Sequence, residues 1–283
     1  AFLDAFAHAR NQRAAGRSIV INWNAWRNVG MAAAVHLRQT GEALASMPSA
    51  SPVWDGYTEI GTNRLYVRDF KRADDWVLNE HVVKNGQALL SGTSMLELAR
   101  AAFADLYPGE PIKLSNLTFL APFIVADDNP RRLSLQTIPN GHGSIQIAIR
   151  DGSNLDSTPL VICDAAILRT KPPEPLDLSQ VAARCDQDRW HSPDGFLEQD
   201  FMDFGQRWAN MKCAAFGQGE ALVELELHSQ FSSDLDTYGL HPALLDMATG
   251  GVQKLIPGVD LSREFYVPLS YDSVQIYGQM PAH

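Results

Sequence analysis

Alternating hydrophobic and polar positions divide much of the chain into short predicted strands. The alternation is clearest in Arg64–Phe70 and in Ile145–Arg150. In the second segment, isoleucines occupy every other position. Such a pattern is typical of an antiparallel strand with one buried face. Asn140-Gly141 predicts a tight hairpin turn just before the second of these strands. The other strands predicted in this region are Leu114–Val125, Leu133–Ile138 and Leu160–Arg169.

A helical pattern begins within Trp76–Arg100, a segment that also carries a single histidine, His81. Ser94 and Glu97 have the spacing of a capping box, in which the two side chains bond backbone N–H groups of the first helical turn. We therefore expect the helix to begin near Ser94. Its predicted apolar face, at helical spacing, consists of Leu96, Ala99, Phe103 and Leu106.

The second half of the chain shows a looser version of the same order. The proline-rich segment Thr170–Asp177 predicts an extended connector. Beyond it, Met211–Leu227 predicts a hairpin that turns at Gly217–Gly219. Pro242–Ile256 then has the apolar periodicity of a helix, with proline in its first turn, and Phe265–Tyr277 predicts a strand. The pattern indicates two units, each an antiparallel sheet with one central helix.

The first fifth of the chain has a different pattern. Phe2–Ala14 predicts an amphipathic helix, and Ser18–Trp23 is an apolar run typical of a buried parallel strand. Met47–Pro52 is rich in serine and proline and predicts a linker. The start of the chain has no basic segment followed by an apolar core, so it does not resemble a signal peptide.

Composition narrows the class of protein. Hydrophobic residues make up 45% and charged residues 20% of the 283 positions, which is typical of a globular protein with a sizeable core. A net charge of −10 argues against a nucleic-acid partner. No apolar run approaches the roughly 18 residues of a membrane helix. The three cysteines lack the spacing of metal ligands and are expected to be reduced thiols: Cys163, Cys185 and Cys213.

His81 and Asp246 are the candidate acid–base pair. Asp246 lies off the apolar face of its predicted helix, and its neighbours Leu245 and Met247 would partly desolvate it, which favours the protonated form. Histidine accepts protons near neutral pH. Such a pair could remove water from a β-hydroxyacyl group. Taken alone, each residue also fits a simpler reading, as a structural histidine and a solvated aspartate, and spacing does not show that they meet.

The order of the motifs resembles a polyketide-synthase dehydratase domain. The resemblance covers the chain from Trp54 onward and rests on His81 with Gly86 and Gly92, the strand Leu117–Val125, the segment Phe204–Trp208 and the motif HPALLD at 241–246. It implies an α+β double hot-dog fold, in which two antiparallel sheets each wrap around a central helix. It also implies that His81 acts as base and Asp246 as acid. The substrate would be carried on the phosphopantetheine arm of an acyl carrier protein, with no metal and no cofactor bound directly.

The first residues resemble a different domain. Ala1–Val35 is similar to the C-terminal end of a polyketide-synthase ketoreductase, although a free-standing helical extension is the alternative. We therefore expect a Rossmann-like ketoreductase fragment at 1–38, without reductase activity, and a linker at 39–53. The first hot-dog is expected at 54–170 and the second, C-terminally truncated, at 171–283. The resemblance implies a fragment of a cytoplasmic, modular type I synthase, a homodimer whose partners are the carrier protein and the other synthase domains, with no membrane.

The chain departs from the family pattern at four places. Gly86 comes one residue late, Ser91 replaces a proline, Phe204 replaces a tyrosine, and Gly250 replaces the glutamine or histidine that usually bonds the aspartate. We expect a looser turn after His81, and an Asp246 carboxyl that depends on Thr249 or Gln253 for a hydrogen bond. The predicted substrate-binding residues are Gly86, Ser91, Gly92, Phe204, Gly205, Trp208, His241, Pro242, Gly250 and Gln253.

Four other functions are alternatives. The departures favour a non-catalytic hot-dog module that binds acyl carrier intermediates or acts as a spacer. The same site could also support a double-bond isomerase or a pyran-forming cyclase. A hot-dog thioesterase would need a carboxylate beside the first central helix, where Glu97 is the candidate, but the capping role predicted for Glu97 explains it better.

Overall fold

The computed structural model of the protein describes residues 47–141, 143–192, 194–195 and 200–283. The helix predicted at Phe2–Ala14, the strand predicted at Ser18–Trp23 and the ketoreductase fragment expected at 1–38 lie outside this range. Among the described residues, no helix combines the length and the apolar character needed to cross a membrane.

A seven-stranded antiparallel sheet forms the largest part of the fold. Its strands are β1 (Gly56–Ile60), β2 (Asn63–Phe70), β5 (Ile112–Phe119), β7 (Arg131–Gly141), β8 (Ser144–Asp151), β9 (Val161–Ile167) and β14 (Ser270–Ile276), in the order β1-β2-β7-β8-β9-β5-β14. Two smaller sheets contain β11 (Met202–Phe204), β3 (His81–Val83), β4 (Ala88–Leu89) and β6 (Ile124–Val125), and then β10 (Asp188–His191), β12 (Met211–Phe216) and β13 (Ala221–Leu225).

The helices are few and short. They are α1 (Trp76–Asn79), α2 (Gly92–Leu106), α3 (Leu178–Arg184) and α4 (Pro242–Gly250), with 3₁₀ turns at Ser229–Asp236 and Gln253–Leu255.

Helix α2 packs on the large sheet and is the centre of the main core. Its predicted apolar face is confirmed, because Leu96, Ala99 and Phe103 are buried against residues of β5, β7, β8 and β9. Sequence reasoning placed its start wrongly. The helix begins at Gly92, and Ser91 is its N-cap, with the Ser91 hydroxyl accepting a hydrogen bond from the Ser94 N–H. The serine at this family-variant position thus stabilises the helix start instead of loosening it.

Glu97 does not cap α2, contrary to the prediction. Its carboxylate is 1% exposed and accepts two hydrogen bonds from the Arg100 guanidinium. It also accepts the backbone N–H groups of Gly239 and Leu240, at 2.9 and 2.8 Å. Glu97 therefore ties the central helix of the first half to the segment that precedes α4 in the second half.

The hairpin predicted in the second half is confirmed as β12 and β13, which pair from Met211 to Leu225. Helix α4 is shorter than predicted and ends at Gly250, where a second glycine, Gly251, follows. Two consecutive glycines favour the end of a helix, because glycine loses more backbone entropy than other residues when it becomes helical and has no side chain that could pack. A second, smaller core surrounds α4 and includes Trp208, Met211, Ala243 and Met247.

Strands from the two halves of the chain pair with one another. The strand predicted at Phe265–Tyr277 forms only as β14 (Ser270–Ile276), and it pairs with β5 of the first half. Likewise β11 pairs with β3, with Phe204 opposite His81. The strand predicted at Leu114–Val125 is divided between β5 and β6. Hydrogen bonds between strands therefore cross the boundary placed at residue 170.

The cysteines are free thiols, as predicted. Cys163 and Cys185 are buried. Burial raises the pKa of the Cys163 thiol to about 12, so this thiol stays protonated near neutral pH.

The buried Glu97 gives the first testable prediction. Glu97→Gln keeps the shape of the side chain but presents an amide N–H₂ to a site that contains only donors. We expect the free energy of unfolding to fall by about 3 kcal/mol or more, which is typical when one partner of a buried pair is lost. Urea unfolding followed by circular dichroism measures this change.

Glu220→Gln is the matched control, because Glu220 also pairs with an arginine, Arg184, but at the surface. Exposed pairs contribute little to stability, so its midpoint should stay close to that of the unsubstituted protein. Equal effects of the two substitutions would contradict the role given to Glu97.

Candidate active site

His81 lies on β3 and contacts two aromatic rings. Its imidazole stacks on Phe204, with ring centroids 5.6 Å apart, and its centroid lies 5.3 Å from that of Trp208. Both rings come from the second half of the chain, and they reach His81 because β11 pairs with β3. The side chain of His81 is only 8% exposed.

One hydrogen bond determines which ring nitrogen of His81 carries a proton. The Nδ1 atom lies 2.6 Å from the backbone oxygen of Leu89, which can only accept. Nδ1 therefore carries a hydrogen, and in the neutral ring Nε2 has a free lone pair. Burial lowers the pKa of His81, although the nearby Asp246 charge and the bond to Leu89 oppose this shift. His81 is thus held as a neutral base.

Asp246 faces the free nitrogen of His81. It lies on α4, and its Oδ2 atom is 3.6 Å from His81 Nε2. The Asp246 side chain is 22% exposed, so the pair is accessible from one side. The structure thus brings together two residues that are 165 positions apart in the sequence, as the resemblance implied.

Trp208 supplies the hydrogen bond that Asp246 was expected to take from Thr249 or Gln253. Its indole Nε1–H donates to Asp246 Oδ2 at 2.9 Å. The Thr93 hydroxyl lies 3.5 Å from Asp246 Oδ1 and 3.0 Å from the Pro242 backbone oxygen, so it bonds the backbone more closely. Sequence reasoning missed both contacts. The available signal was Trp208 itself, a predicted site residue whose indole has an N–H donor.

The two residues expected to bond Asp246 have other partners. Thr249 donates its hydroxyl to backbone oxygens of its own helix, at Leu245 and Asp246. The Gln253 side-chain amide donates to the Tyr266 backbone oxygen. Gly250 has open space where a side chain would be. The expectation for Thr249 and Gln253 is therefore wrong, while the role of Gln253 and Gly250 in substrate binding stays a prediction.

His241 and Pro242 form the start of α4. His241 is fully buried, and its Nδ1 atom accepts the Leu244 N–H as an N-cap at 3.4 Å. Its ring stacks on Trp76, with centroids 5.2 Å apart. These contacts give His241 a structural role, and its predicted substrate contact stays untested.

The predicted glycines and Ser91 lie around the His81 strand. Gly86 is exposed at the turn after β3 with a φ of +88°, a conformation that glycine adopts without strain. Gly92 packs against Phe119. Gly205 lies so close to Glu80 that a side chain at position 205 would clash with it. These residues shape the loops beside His81, and their contact with a substrate stays a prediction.

Tyr271 on β14 is a further group near Asp246 that sequence reasoning did not select. It is half-buried, and its ring packs edge-on against Phe119. Burial raises the pKa of its phenol, the Asp246 charge adds to this shift, and a hydrogen bond with Thr249 opposes it. Tyr271 therefore places a phenol near Asp246, although Phe204 has none.

Two other features bear on the site. In the described part of the chain, no group of three or more histidine, cysteine, aspartate or glutamate side chains could hold a metal ion. A cavity of about 400 Å³ is lined by residues of both halves, including Arg100, Gly239 and Ile276, but neither His81 nor Asp246 lines it. The His81–Asp246 pair, not this cavity, is the candidate active site.

Comparison with known families gives two matches. The family described as "Polyketide synthase dehydratase domain" matches residues 57–152, and the family described as "Polyketide synthase dehydratase N-terminal domain" matches residues 170–283. Together they cover most of the chain, including both His81 and Asp246.

Comparison with curated proteins and solved structures agrees. Polyketide synthase PksN of Bacillus subtilis is 26% identical over 214 residues, which are 72% of this chain and 4% of PksN. A dehydratase domain from a trans-AT polyketide synthase of Brevibacillus brevis has a TM-score of 0.72 at 21% identity, covering 82% of this chain and 83% of that one. These neighbours confirm the fold class predicted from the sequence.

Two structures of the CurK dehydratase from the curacin polyketide synthase are also similar. They are described as inactive mutants, one with histidine changed to phenylalanine and one with aspartate changed to asparagine. Their TM-scores are 0.68 and 0.67 at 20% and 19% identity, covering 79% and 80% of this chain and 81% and 83% of theirs.

The buried imidazole gives the second testable prediction. The pKa of His81 should lie below the usual value of about 6.5. In Asp246→Asn it should fall further, because the negative charge that favours the protonated ring is lost. Titration of ¹⁵N-labelled histidine side chains by NMR measures both values.

Asp203→Asn is the control for charge. Asp203 is exposed on β11 and pairs with Lys84, so its loss should leave the titration of His81 unchanged. An identical pKa of His81 in the unsubstituted protein and in Asp246→Asn would contradict the close approach of the two side chains.

Proposed function

Because this chain belongs to the polyketide-synthase dehydratase family, whose members are hydro-lyases, we propose that His81 and Asp246 together remove water from a β-hydroxyacyl thioester. The product is the α,β-unsaturated thioester. The substrate is proposed to arrive on the phosphopantetheine arm of an acyl carrier protein. The chain spans between 3% and 10% of the length of the curated relatives that it matches.

In the proposed reaction, His81 Nε2 takes the proton from the α-carbon, which the thioester carbonyl has made acidic. The electron pair of the broken C–H bond forms the double bond to the β-carbon. The C–O bond at the β-carbon breaks, and Asp246 gives a proton to the departing hydroxyl, which leaves as water. The proton now on His81 must then return to Asp246. The reaction needs no cofactor, because the thioester supplies the activation.

The observation that carries the proposal is the orientation of His81. A general base must present a lone pair to the proton that it removes. The bond from Nδ1 to Leu89 leaves Nε2 unprotonated, and this nitrogen faces Asp246 at 3.6 Å. Burial keeps the ring neutral near pH 7. The candidate base and the candidate acid are thus held side by side.

The related CurK structures support the assignment of the two roles. In that dehydratase, changes of one histidine and one aspartate are described as inactivating. His81 and Asp246 are the histidine and aspartate that meet at the candidate site of this chain.

The third testable prediction is the loss of water formation in variants of the pair. A β-hydroxyacyl group is loaded on an acyl carrier protein, and the loss of one water is followed by mass spectrometry. His81→Ala and Asp246→Asn should each reduce the rate by roughly 10²–10⁴-fold, the usual contribution of a general acid or base. Circular dichroism should show that both variants stay folded.

His228→Ala and Asp203→Asn are the matched controls. Both residues are exposed and lie in the second half of the chain. Both variants should retain the full rate of water loss. Water loss that persists in His81→Ala would contradict the proposed base. No water loss in the unsubstituted chain would instead favour the non-catalytic module, and a shifted double bond or a cyclic ether as product would favour the isomerase or the cyclase.

The fourth testable prediction concerns the donor to Asp246. Trp208→Phe keeps an aromatic ring beside His81 but removes the N–H that bonds Asp246. A hydrogen bond to a charged group contributes about 1.5–3 kcal/mol, so we expect the rate of water loss to fall by roughly ten- to hundredfold.

Gly250→Gln tests the same bond in the opposite direction. It places the usual family donor one helical turn after Asp246, where the structure has open space. Added to Trp208→Phe, it should recover part of the lost rate. Failure of Gly250→Gln to improve a folded Trp208→Phe protein would show that Trp208 acts by packing and not as a donor.

A further inference from the structure

Glu80, Arg207 and Asp234 form a partly buried ionic cluster next to the residues that hold the His81–Asp246 pair. The Arg207 guanidinium donates to Glu80 through Nη1 and to Asp234 through Nε, the second at 2.6 Å. The Arg207 backbone N–H also donates to Glu80, at 2.7 Å. All three side chains are about 15% exposed, so water screens these contacts only weakly.

Each member of the cluster is connected to one part of the site. Glu80 immediately precedes His81, and its backbone oxygen accepts the N–H of Gly205. Arg207 immediately precedes Trp208, the donor to Asp246. Asp234 lies 3.6 Å from the ring of His241, which caps the helix that carries Asp246. The cluster therefore touches the strand of the base, the helix of the acid and the residue between them.

Two aromatic rings pack against the Arg207 guanidinium. Its central carbon lies 4.6 Å from the ring centroid of Trp76 and 4.1 Å from that of Phe231. Trp76 also stacks on His241. A planar guanidinium that is stacked and doubly bonded has little freedom to move, and a lysine could not reproduce both its fork and its stacking.

A backbone connection completes the link. The side-chain amide of Asn210 donates to the backbone oxygens of Arg207 and Ala243, at 2.8 and 3.1 Å. Ala243 is in the first turn of α4, three residues before Asp246. The position of Arg207 is therefore transmitted to α4 by two routes, through Asp234 with His241 and through Asn210.

We propose that Arg207 is a positioning residue that sets the separation of His81 and Asp246 by joining the strand of the base to the helix of the acid. Arg207 makes no contact with the pair itself among the described contacts, and it acts through Glu80, Asp234 and Trp208. This inference rests on the proposed function for its catalytic consequence, but its structural content can be measured without any turnover.

Arg64 offers a matched control. It also pairs with a well-buried carboxylate, Asp105, at 3.3 Å, and its own exposure is similar to that of Arg207. Arg64 and Asp105 link β2 to the end of α2, and within the described part of the chain neither contacts the residues that hold His81 or Asp246. Substitution of either arginine could lower the stability of the protein, but only substitution of Arg207 should change the site. The comparison therefore separates the two effects.

The test compares Arg207→Gln with Arg64→Gln in the NMR titration of His81, each with and without Asp246→Asn. In the Arg64→Gln background, Asp246→Asn should lower the pKa of His81 as it does in the unsubstituted protein. In the Arg207→Gln background this effect should be smaller, because a larger separation weakens the coupling between the two side chains. An equal effect in both backgrounds would overturn the proposal.

The second readout is the rate of water loss. In Arg207→Gln, kcat should fall by roughly ten- to hundredfold with little change in KM, since a small displacement of a catalytic group has a large effect on rate. Arg207→Lys keeps the positive charge but not the two-pronged guanidinium, so its kcat should lie between those of the unsubstituted protein and Arg207→Gln. If Arg207→Gln does not fold, the test uses Arg207→Lys. A kcat of Arg207→Lys and Arg207→Gln equal to that of Arg64→Gln would overturn the proposal. If the unsubstituted chain releases no water, the proposed function fails, while the titration still decides the role of Arg207.

Discussion

The fold depends on one buried carboxylate that joins its two halves. Glu97 is almost fully removed from water, so its charge must be balanced within the protein. Arg100 neutralises it from the same helix, and two backbone N–H groups of the second half complete its hydrogen bonds. Those two groups lie directly before His241, where α4 begins. The central helix of the first half therefore determines where the helix that carries Asp246 can start.

The active-site geometry follows from this constraint. Once α4 is fixed at its first turn, Asp246 lies one turn further along, beside Thr93 at the start of α2. His81 comes to the same place by strand pairing, because β11 pairs with β3 and brings Phe204 and Trp208 onto the imidazole. Two independent connections, one between helices and one between strands, meet at the pair. Loss of contacts in either connection would change the distance between His81 and Asp246.

Local patterns were sufficient to predict most of the secondary structure, whereas they could not predict contacts between distant segments. The choice of His81 and Asp246 as candidates depended on the family resemblance. Alternation predicted β8, and glycine spacing predicted the β12–β13 hairpin, because both depend on neighbours in the sequence. The Ser94–Glu97 spacing was misleading, because a glutamate at this position can cap its own helix or bond a distant segment of the chain. Nothing in the spacing shows that Glu97 bonds a backbone about 140 residues away. The pairing of β14 with β5 was hidden for the same reason.

The departures from the family pattern are partly compensated by physical substitutes. Ser91 stands where relatives have proline, and it caps α2 with a side-chain hydrogen bond that proline could not make. Gly250 has lost the usual donor to the aspartate, but Trp208 brings an indole N–H to the same carboxyl from another segment. What Asp246 requires is a donor at hydrogen-bond distance, and the chain position of that donor is free to change. Phe204 stands at the position of the family tyrosine and stacks on His81 without a hydroxyl, and the phenol of Tyr271 interacts with Thr249 and Asp246 instead. The hydrogen bond to Asp246 is thus made by a different donor, whereas the surroundings of His81 contain a phenylalanine ring in place of a phenol.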